Sequence, residues 1–213
     1  MSLTEMKLES NSKIRIDFGG GNLSSDGGLL LMKEFLSKIG FERLAVAKFK
    51  TTDRAKRVHT DVDNLLQVMY QIFSSYNEDD CADELSNEPV ITAALEKERL
   101  ASQPTLSRFF NRMDEDTISQ FDAIDSKMRE IVYSIKHPEH MLFDLDSTLL
   151  NTYGRQEGEG FNYHYQAHGY HPLLCFDGLT GDLLKVELRD GTQYCSKESD
   201  LFMIPLMQEY RTK

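Results

Sequence analysis

Apolar and polar positions follow two rhythms along this chain, and the change comes near residue 138. Lys13 to Phe18 alternates as Lys-Ile-Arg-Ile-Asp-Phe, which predicts a short strand. Gly19, Gly20 and Gly21 break it. No Gly-Lys-Ser/Thr and no Gly-x-Gly-x-x-Gly follows, so these glycines are a turn rather than a phosphate loop. Ser24-Ser25-Asp26 offers caps for a helix in which Leu29, Leu30, Met32, Phe35, Leu36 and Ile39 share a face, ending at Gly40. Helical spacing returns from Thr60 to Tyr76, with Val62, Leu65, Leu66, Met69, Ile72 and Phe73 inward. A short acidic helix follows over Asp79 to Leu85, and Pro89 starts another that runs to about Arg99. Pro104 to Met113 is the next. Asp114 to Ile135 closes the series, with Ile118, Phe121, Ile124, Met128, Ile131 and Val132 on its inner face.

His137-Pro138 ends the helical texture, because the residue before a proline is pushed out of the helical region. Met141 to Asp146 is an apolar run ending in acid, the first strand of a new pattern. Pro172 to Phe176 is a second strand and Leu183 to Leu188 a third. The Gly178 to Gly181 turn joins these two as a hairpin. Ser199 to Tyr210 is a helix. The fold class expected is α+β, with a mainly helical domain at 1–138 and a strand-bearing domain at 139–213.

Composition narrows the class. With 213 residues, 40% hydrophobic and 28% charged, the chain can bury a core. No apolar run approaches the ~20 residues of a membrane span, and Met1 to Ser12 has no apolar core of a secretion signal. Cys81, Cys175 and Cys195 fit neither a disulfide framework nor a zinc ribbon, so a reduced, cytoplasmic protein is expected. The net charge of -11 opposes a stand-alone nucleic-acid binder. The charge is uneven, however. Lys48, Lys50, Arg54, Lys56 and Arg57 form a basic patch against the single acid Asp53, whereas Asp61 to Glu98 holds ten acids and one base. Two solvated faces of opposite sign, or a DNA-facing patch, would both look like this.

Candidate chemistry centres on Asp144-Leu145-Asp146-Ser147-Thr148. Strand alternation puts Asp144 and Asp146 on one face and Leu145 on the other. Two carboxylates at a strand end suit a hard cation such as Mg²⁺ and phosphoryl-group chemistry. Leu142 to Thr148 fits the first motif of the haloacid-dehalogenase-like phosphatases, with Asp144 as nucleophile and Asp146 as general acid/base. That fold needs a doubly wound parallel sheet, whereas an antiparallel hairpin is expected here. His164, His168 and His171 could be metal ligands on a helix, but Gly169 and Pro172 favour a polar loop. Gln103 to Met113 has the look of a second helix of a helix-turn-helix, with Thr105, Ser107, Arg108, Asn111 and Arg112 as the DNA-facing types. An ordinary amphipathic helix has the same pattern.

Five blocks in order resemble the group-1 DDE-domain transposases of bacterial insertion sequences. They are Leu23 to Leu31, Tyr76 to Leu85 with Glu88-Pro89, Leu100 to Phe109, Thr152 to Gly158, and Gly169 to Leu174. The resemblance implies a ribonuclease-H-like catalytic domain with acids in the order Asp, Asp, Glu. Its partners would be Mg²⁺ or Mn²⁺, the DNA of the transposon ends, and a second copy or an intact transposase. Only the first acid carries over, and Asp146 matches it through the following Ser147-Thr148. Asp144 is left as a second candidate ligand or a structural acid. The ribonuclease-H order is three antiparallel strands, a helix, then a fourth strand with the second Asp. Three strands and one helix are expected here, an incomplete version of that fold with the second Asp and the Glu absent. The expected protein is therefore a truncated transposase, inactive alone, or a non-catalytic DNA-binding or interaction fragment that modulates an intact one.

Overall fold

Local sequence chemistry explains where most elements begin and end. The structure, a computed structural model, describes residues 5–20, 24–52, 57–78 and 80–212. The chain divides into two compact units, Met1–Ser134 and Ile135–Lys213.

The first unit opens with an antiparallel pair, β1 (Glu5–Lys7) and β2 (Arg15–Asp17), with Met6 opposite Ile16. Helix α1 (Leu29–Lys38) buries Leu29, Leu30, Lys33 and Leu36, a spacing of three and four residues that makes one face. Gly40 stops it with φ 75°, which a side chain would resist. Helix α2 (Phe41–Lys48) follows at once. It was not expected, because only Phe41 and Ala45 are buried and no apolar period shows.

Helix α3 (Asp61–Phe73) starts in a capping box. Asp63 N–H donates to Thr60 Oγ1 at 3.1 Å, and Thr60 N–H donates to Asp63 Oδ2 at 2.8 Å. Helix α4 (Cys81–Glu84) is one short turn. Helix α5 (Pro89–Leu95) begins with proline at its first turn and Glu88 as cap. It stops short of Arg99, because Glu96 turns left-handed at φ 55° and Lys97 N–H closes onto the Thr92 carbonyl at 3.0 Å. Helices α6 (Gln103–Phe110) and α7 (Glu115–Ile135) complete the unit.

Leu8, Leu30, Phe41, Leu65, Ile91, Phe109 and Ile124 meet in its core, where Phe49 packs against Phe109 and Phe121 at 6.0 and 5.0 Å between ring centres. Two expected faces are corrected. Ile72 and Ile118 are 56% and 62% exposed, and Phe73 and Val132 also reach solvent. On α3 the buried side is partly polar instead, with Asn64, Gln67, Tyr70 and Gln71.

The second unit contains β3 (Phe143–Ser147), β4 (Leu150–Asn151), β5 (Gly160–Asn162), β6 (Ala167–Tyr170), β7 (Leu173–Asp177), β8 (Leu183–Glu187) and α8 (Ser199–Thr212). One antiparallel sheet has the order β3-β7-β8. Among the described residues β3 has a partner on one side only. The antiparallel pairing around the Asp-x-Asp segment is not the doubly wound parallel sheet of the phosphatase reading, which is set aside. Residues 150–170, expected as a polar connection, fold instead into a second sheet, β4-β6-β5. Its strands are too short to show a period. They meet through backbone approach: a Cβ on Gly169 would stand 2.2 Å from the Leu150 carbonyl oxygen, and one on Gly191 1.9 Å from the Gly169 oxygen.

Helix α8 covers one face of β3-β7-β8. Phe202 and Leu206 pack with Leu173, Cys175 and Leu184, and Phe143 meets Tyr210 at 5.8 Å between rings. Cross-strand pairing sets the faces. Leu145 lies opposite Cys175 and Ser147 opposite Leu173, on the α8 side. Asp144 opposite Phe176 and Asp146 opposite Leu174 take the other side.

Candidate active site

Strand β3 carries Asp144 and Asp146 on its uncovered face, and both are exposed. The Asp146 Oδ1 accepts the Ser147 N–H at 2.7 Å, which turns the carboxylate toward its own backbone. Asp146 also lines a cleft of about 380 Å³ with Ser147, His164, Tyr165, Cys195 and Ser199. Asp144 does not border this cleft. It lies near Cys175, whose thiol is pushed up by burial first and by the Asp144 charge second, so Cys175 stays a neutral core residue.

The strand end is braced by residues that the sequence did not single out as a set. Tyr165 donates its hydroxyl to the Ser147 carbonyl at 3.0 Å. Its ring lies edge-on to His171 at 5.6 Å and to His164 at 4.7 Å. His171 is fully buried, and its Nδ1 is 2.9 Å from the Gln193 carbonyl. A carbonyl only accepts, so Nδ1 carries the proton and Nε2 faces Cys195 Sγ at 3.9 Å. Arg189 is also buried. It donates Nε to the His171 carbonyl and Nη1 to the Lys197 carbonyl, both at 3.0 Å. Asn162 adds a bond from Nδ2 to the Gly191 carbonyl at 2.8 Å and accepts from the His164 N–H at 3.0 Å. The histidines do not converge: His168 pairs with Glu159 at 2.9 Å, His171 is internal, and His164 lines the cleft.

The other carboxylates near the hairpin serve turns. Asp177 accepts from Leu179 N–H at 3.0 Å and from the Thr180 hydroxyl at 3.2 Å, and that hydroxyl also reaches Asp182 at 2.8 Å. Asp190 accepts from the Thr192 N–H and hydroxyl at 2.7 and 2.6 Å, which hold its carboxyl below the usual range although burial acts the other way. Among the described residues no three His, Cys, Asp or Glu side chains come together as a metal cage. The exposed carboxylate of Asp146 has the oxygen donors that Mg²⁺ or Mn²⁺ takes, and Asp144 lies two residues away on the same face.

The residues marked for DNA separate into two groups. Arg108 and Asn111 are exposed on and just beyond α6, and Lys48 and Lys50 are exposed at the end of α2. Thr105 is engaged with the Ser102 hydroxyl at 3.1 Å, and Ser107 and Arg57 are half-buried. Arg112 is committed inside the unit. Its Nε donates to Thr51 Oγ1 at 3.1 Å, Nη1 to the Arg108 carbonyl at 2.9 Å and Nη2 to Asp61 at 3.0 Å. Arg54 and Lys56 lie outside the described residues, as do Leu23 of the first block and Asp79 of the second. The segment between α5 and α6 runs over 96–102, longer than the tight turn of about 3–4 residues in a helix-turn-helix. Helix α6 packs on α3 and α4.

A family model described as Transposase DDE domain group 1 matches residues 6–213. No curated protein and no solved structure matches the chain.

Proposed function

The chain belongs to the transposase DDE domain group 1 family, and on that premise we propose that it is a DNA-transposition component that carries the first catalytic acid, and that residues 1–213 alone do not transfer strands. The observation that carries this reading is Asp146, exposed at the end of a strand whose outer edge has no partner among the described residues. The β3-β7-β8 order followed by α8 is the order in which a ribonuclease-H-like sheet begins, and a further strand on the β3 edge would bring a second acid beside Asp146.

Asp146, with Asp144 as neighbour, would hold a divalent metal. Such a metal would polarise phosphate oxygens and lower the pKa of a bound water. The chain's own residues supply the setting. Ser147 N–H donates to one carboxylate oxygen of the exposed Asp146, and Tyr165 donates to the Ser147 carbonyl. Transposon-end DNA would meet Arg108, Asn111, Lys48 and Lys50, the exposed members of the two candidate patches. That no metal-holding group of three His, Cys, Asp or Glu residues forms around Asp146 among the described residues also favours a second reading: a non-catalytic chain that modulates an intact transposase by mixed assembly. The two readings differ in whether further acids come to join Asp146. No helix among the described residues is long and apolar enough to cross a membrane.

The purified chain, incubated with Mg²⁺ or Mn²⁺ and DNA bearing the element's ends, is expected to yield no joined product; reproducible joining overturns the proposal. Paramagnetic Mn²⁺ is expected to broaden the backbone amide signals of Asp146 and Ser147. Asp146→Asn should abolish this and Asp144→Asn should leave it. The reverse pattern transfers the metal-ligand role to Asp144.

A further inference from the structure

A second surface, far in sequence from Asp146, is built to receive something. Val68, Ile72, Leu106 and Phe110 line a groove of about 310 Å³ between α3 and α6, together with Tyr76 and Glu78 of the segment that follows α3. Ile72 and Phe110 expose large apolar surface there. Gln71 also lines the groove, is 5% exposed, and its Nε2 has no hydrogen-bond acceptor. Buried amide donors are nearly always paired, so an unpaired one at a groove marks a position for an incoming acceptor. The neighbouring chain is acidic. Glu78 lines the groove, Asp80 and Glu84 follow in the next turn, all are exposed, and no basic side chain among the described residues pairs with them.

We propose that this groove docks a basic amphipathic segment of a partner protein. The partner's apolar side chains would cover Ile72 and Phe110, a carbonyl oxygen would accept from Gln71 Nε2, and its Lys or Arg side chains would meet Glu78, Asp80 and Glu84. Helix-in-groove recognition of this kind reads apolar anchors spaced along one face of the segment. The acids exclude DNA phosphate from the same place. The chain's own charge of -11 disfavours a second copy as the occupant. This role is independent of the reading of Asp146.

The test uses the full chain and a fluorescein-labelled helical peptide of leucines and lysines, beside a leucine-glutamate peptide with the same apolar spacing. Fluorescence anisotropy is expected to show the lysine peptide binding at least about tenfold more tightly than its glutamate counterpart. Replacing the exposed pair, Ile72→Asp with Phe110→Asp, should weaken it at least about tenfold while leaving the far-ultraviolet circular dichroism unchanged. Gln71→Leu should weaken binding without lowering the melting temperature, because no internal bond is lost. Results of three kinds overturn the proposal. The first is equal binding of both peptides, or undiminished binding to the Ile72→Asp/Phe110→Asp variant. The second is a lower melting temperature in Gln71→Leu, which would mean the amide is already partnered. The third is a wild-type dimer in light scattering that becomes a monomer in the double variant, which would give the groove to a second copy.

Discussion

Arg112→Ala separates a DNA-reading arginine from a structural one. The Arg112 and Asp61 side chains are 14% and 17% exposed, and the guanidinium spends its donors on Thr51, Asp61 and the Arg108 carbonyl. Thr51 in turn donates its N–H and hydroxyl to Asp61 Oδ2 at 2.8 and 2.9 Å. Truncating one partner of a buried pair typically costs about 3–5 kcal/mol, because the other charge stays buried. Here Thr51 still serves Asp61 and some water reaches it, so the expected cost is about 2–3 kcal/mol, nearer the penalty of an unsatisfied charged group. For a chain of this size that is a fall in melting temperature of roughly 5–10 °C. Asp61→Ala should cost a similar amount, and the double variant should fall short of the sum by about 1–2 kcal/mol. Arg112→Lys should recover little, since an ammonium cannot make the fork. Urea unfolding followed at 222 nm measures all four variants. An Arg112→Ala midpoint equal to that of the unaltered chain, or full additivity in the double variant, would refute the reasoning and return Arg112 to the DNA-facing set.

Two further outcomes follow from the same kind of accounting. Burial pushes Asp61 and Asp63 up, but hydrogen bonds from Thr51 and Arg112 to the first, and from Lys97 and Thr60 to the second, bring both below the ordinary carboxylate value. A depressed folded-state value gives stability that is present above the unfolded value of about 3.9 and is lost as the pH falls through the folded one. The urea midpoint should therefore drop on acidification below about pH 4, and Asp61→Asn with Asp63→Asn should flatten that drop; a profile unchanged by the pair of substitutions would count against it. Gly191→Ala would place a Cβ 1.9 Å from the Gly169 oxygen and 2.5 Å from the Gly160 oxygen. Such overpacking costs about 1–3 kcal/mol, and hydrogen exchange at residues 167–170 should speed up; unaltered protection there would mean that the two backbone segments are not in close contact.

How far the sequence reveals the structure depends on whether a feature is local. Helices α1, α3 and α7 and the β7-β8 hairpin are legible because their apolar periods or turn residues lie within the element. The β4-β6-β5 sheet is not, because strands of two to four residues carry no period and depend on Gly169 and Gly191 approaching other backbone. Periodicity also overreached. Ile72 and Ile118 share the spacing of buried neighbours, yet spacing defines a face and not what covers it. Arg112 shows the converse: its residue type suits a phosphate, but Asp61 lies 51 residues earlier, and no local pattern announces that pairing. Asp146 was singled out from the strand end and the resemblance together. Its brace was not, since Tyr165 reaches Ser147 across 18 residues and His171 reaches Gln193 across 22.

That brace supplies the physical distinction between the two aspartates. Alternation alone puts Asp144 and Asp146 on one face and treats them alike. Their surroundings do not. Asp146 is bonded to the N–H of Ser147, whose carbonyl is held by Tyr165, and Tyr165 leans on a buried His171 that is bonded through its ring to Gln193 and through its carbonyl to Arg189. A ligand or catalytic group is useful only when its neighbours keep it in place. Among the described residues Asp144 has no such chain of support, and the group whose ionisation its charge opposes is the buried, neutral thiol of Cys175. Tyr165→Phe keeps the ring and removes only the bond to Ser147. If the brace matters, that substitution should weaken the Mn²⁺ broadening at Asp146 while leaving the melting temperature within about 1 kcal/mol of the original stability. Unchanged broadening would mean that the strand end is held by the sheet alone and that Tyr165 is part of the wall.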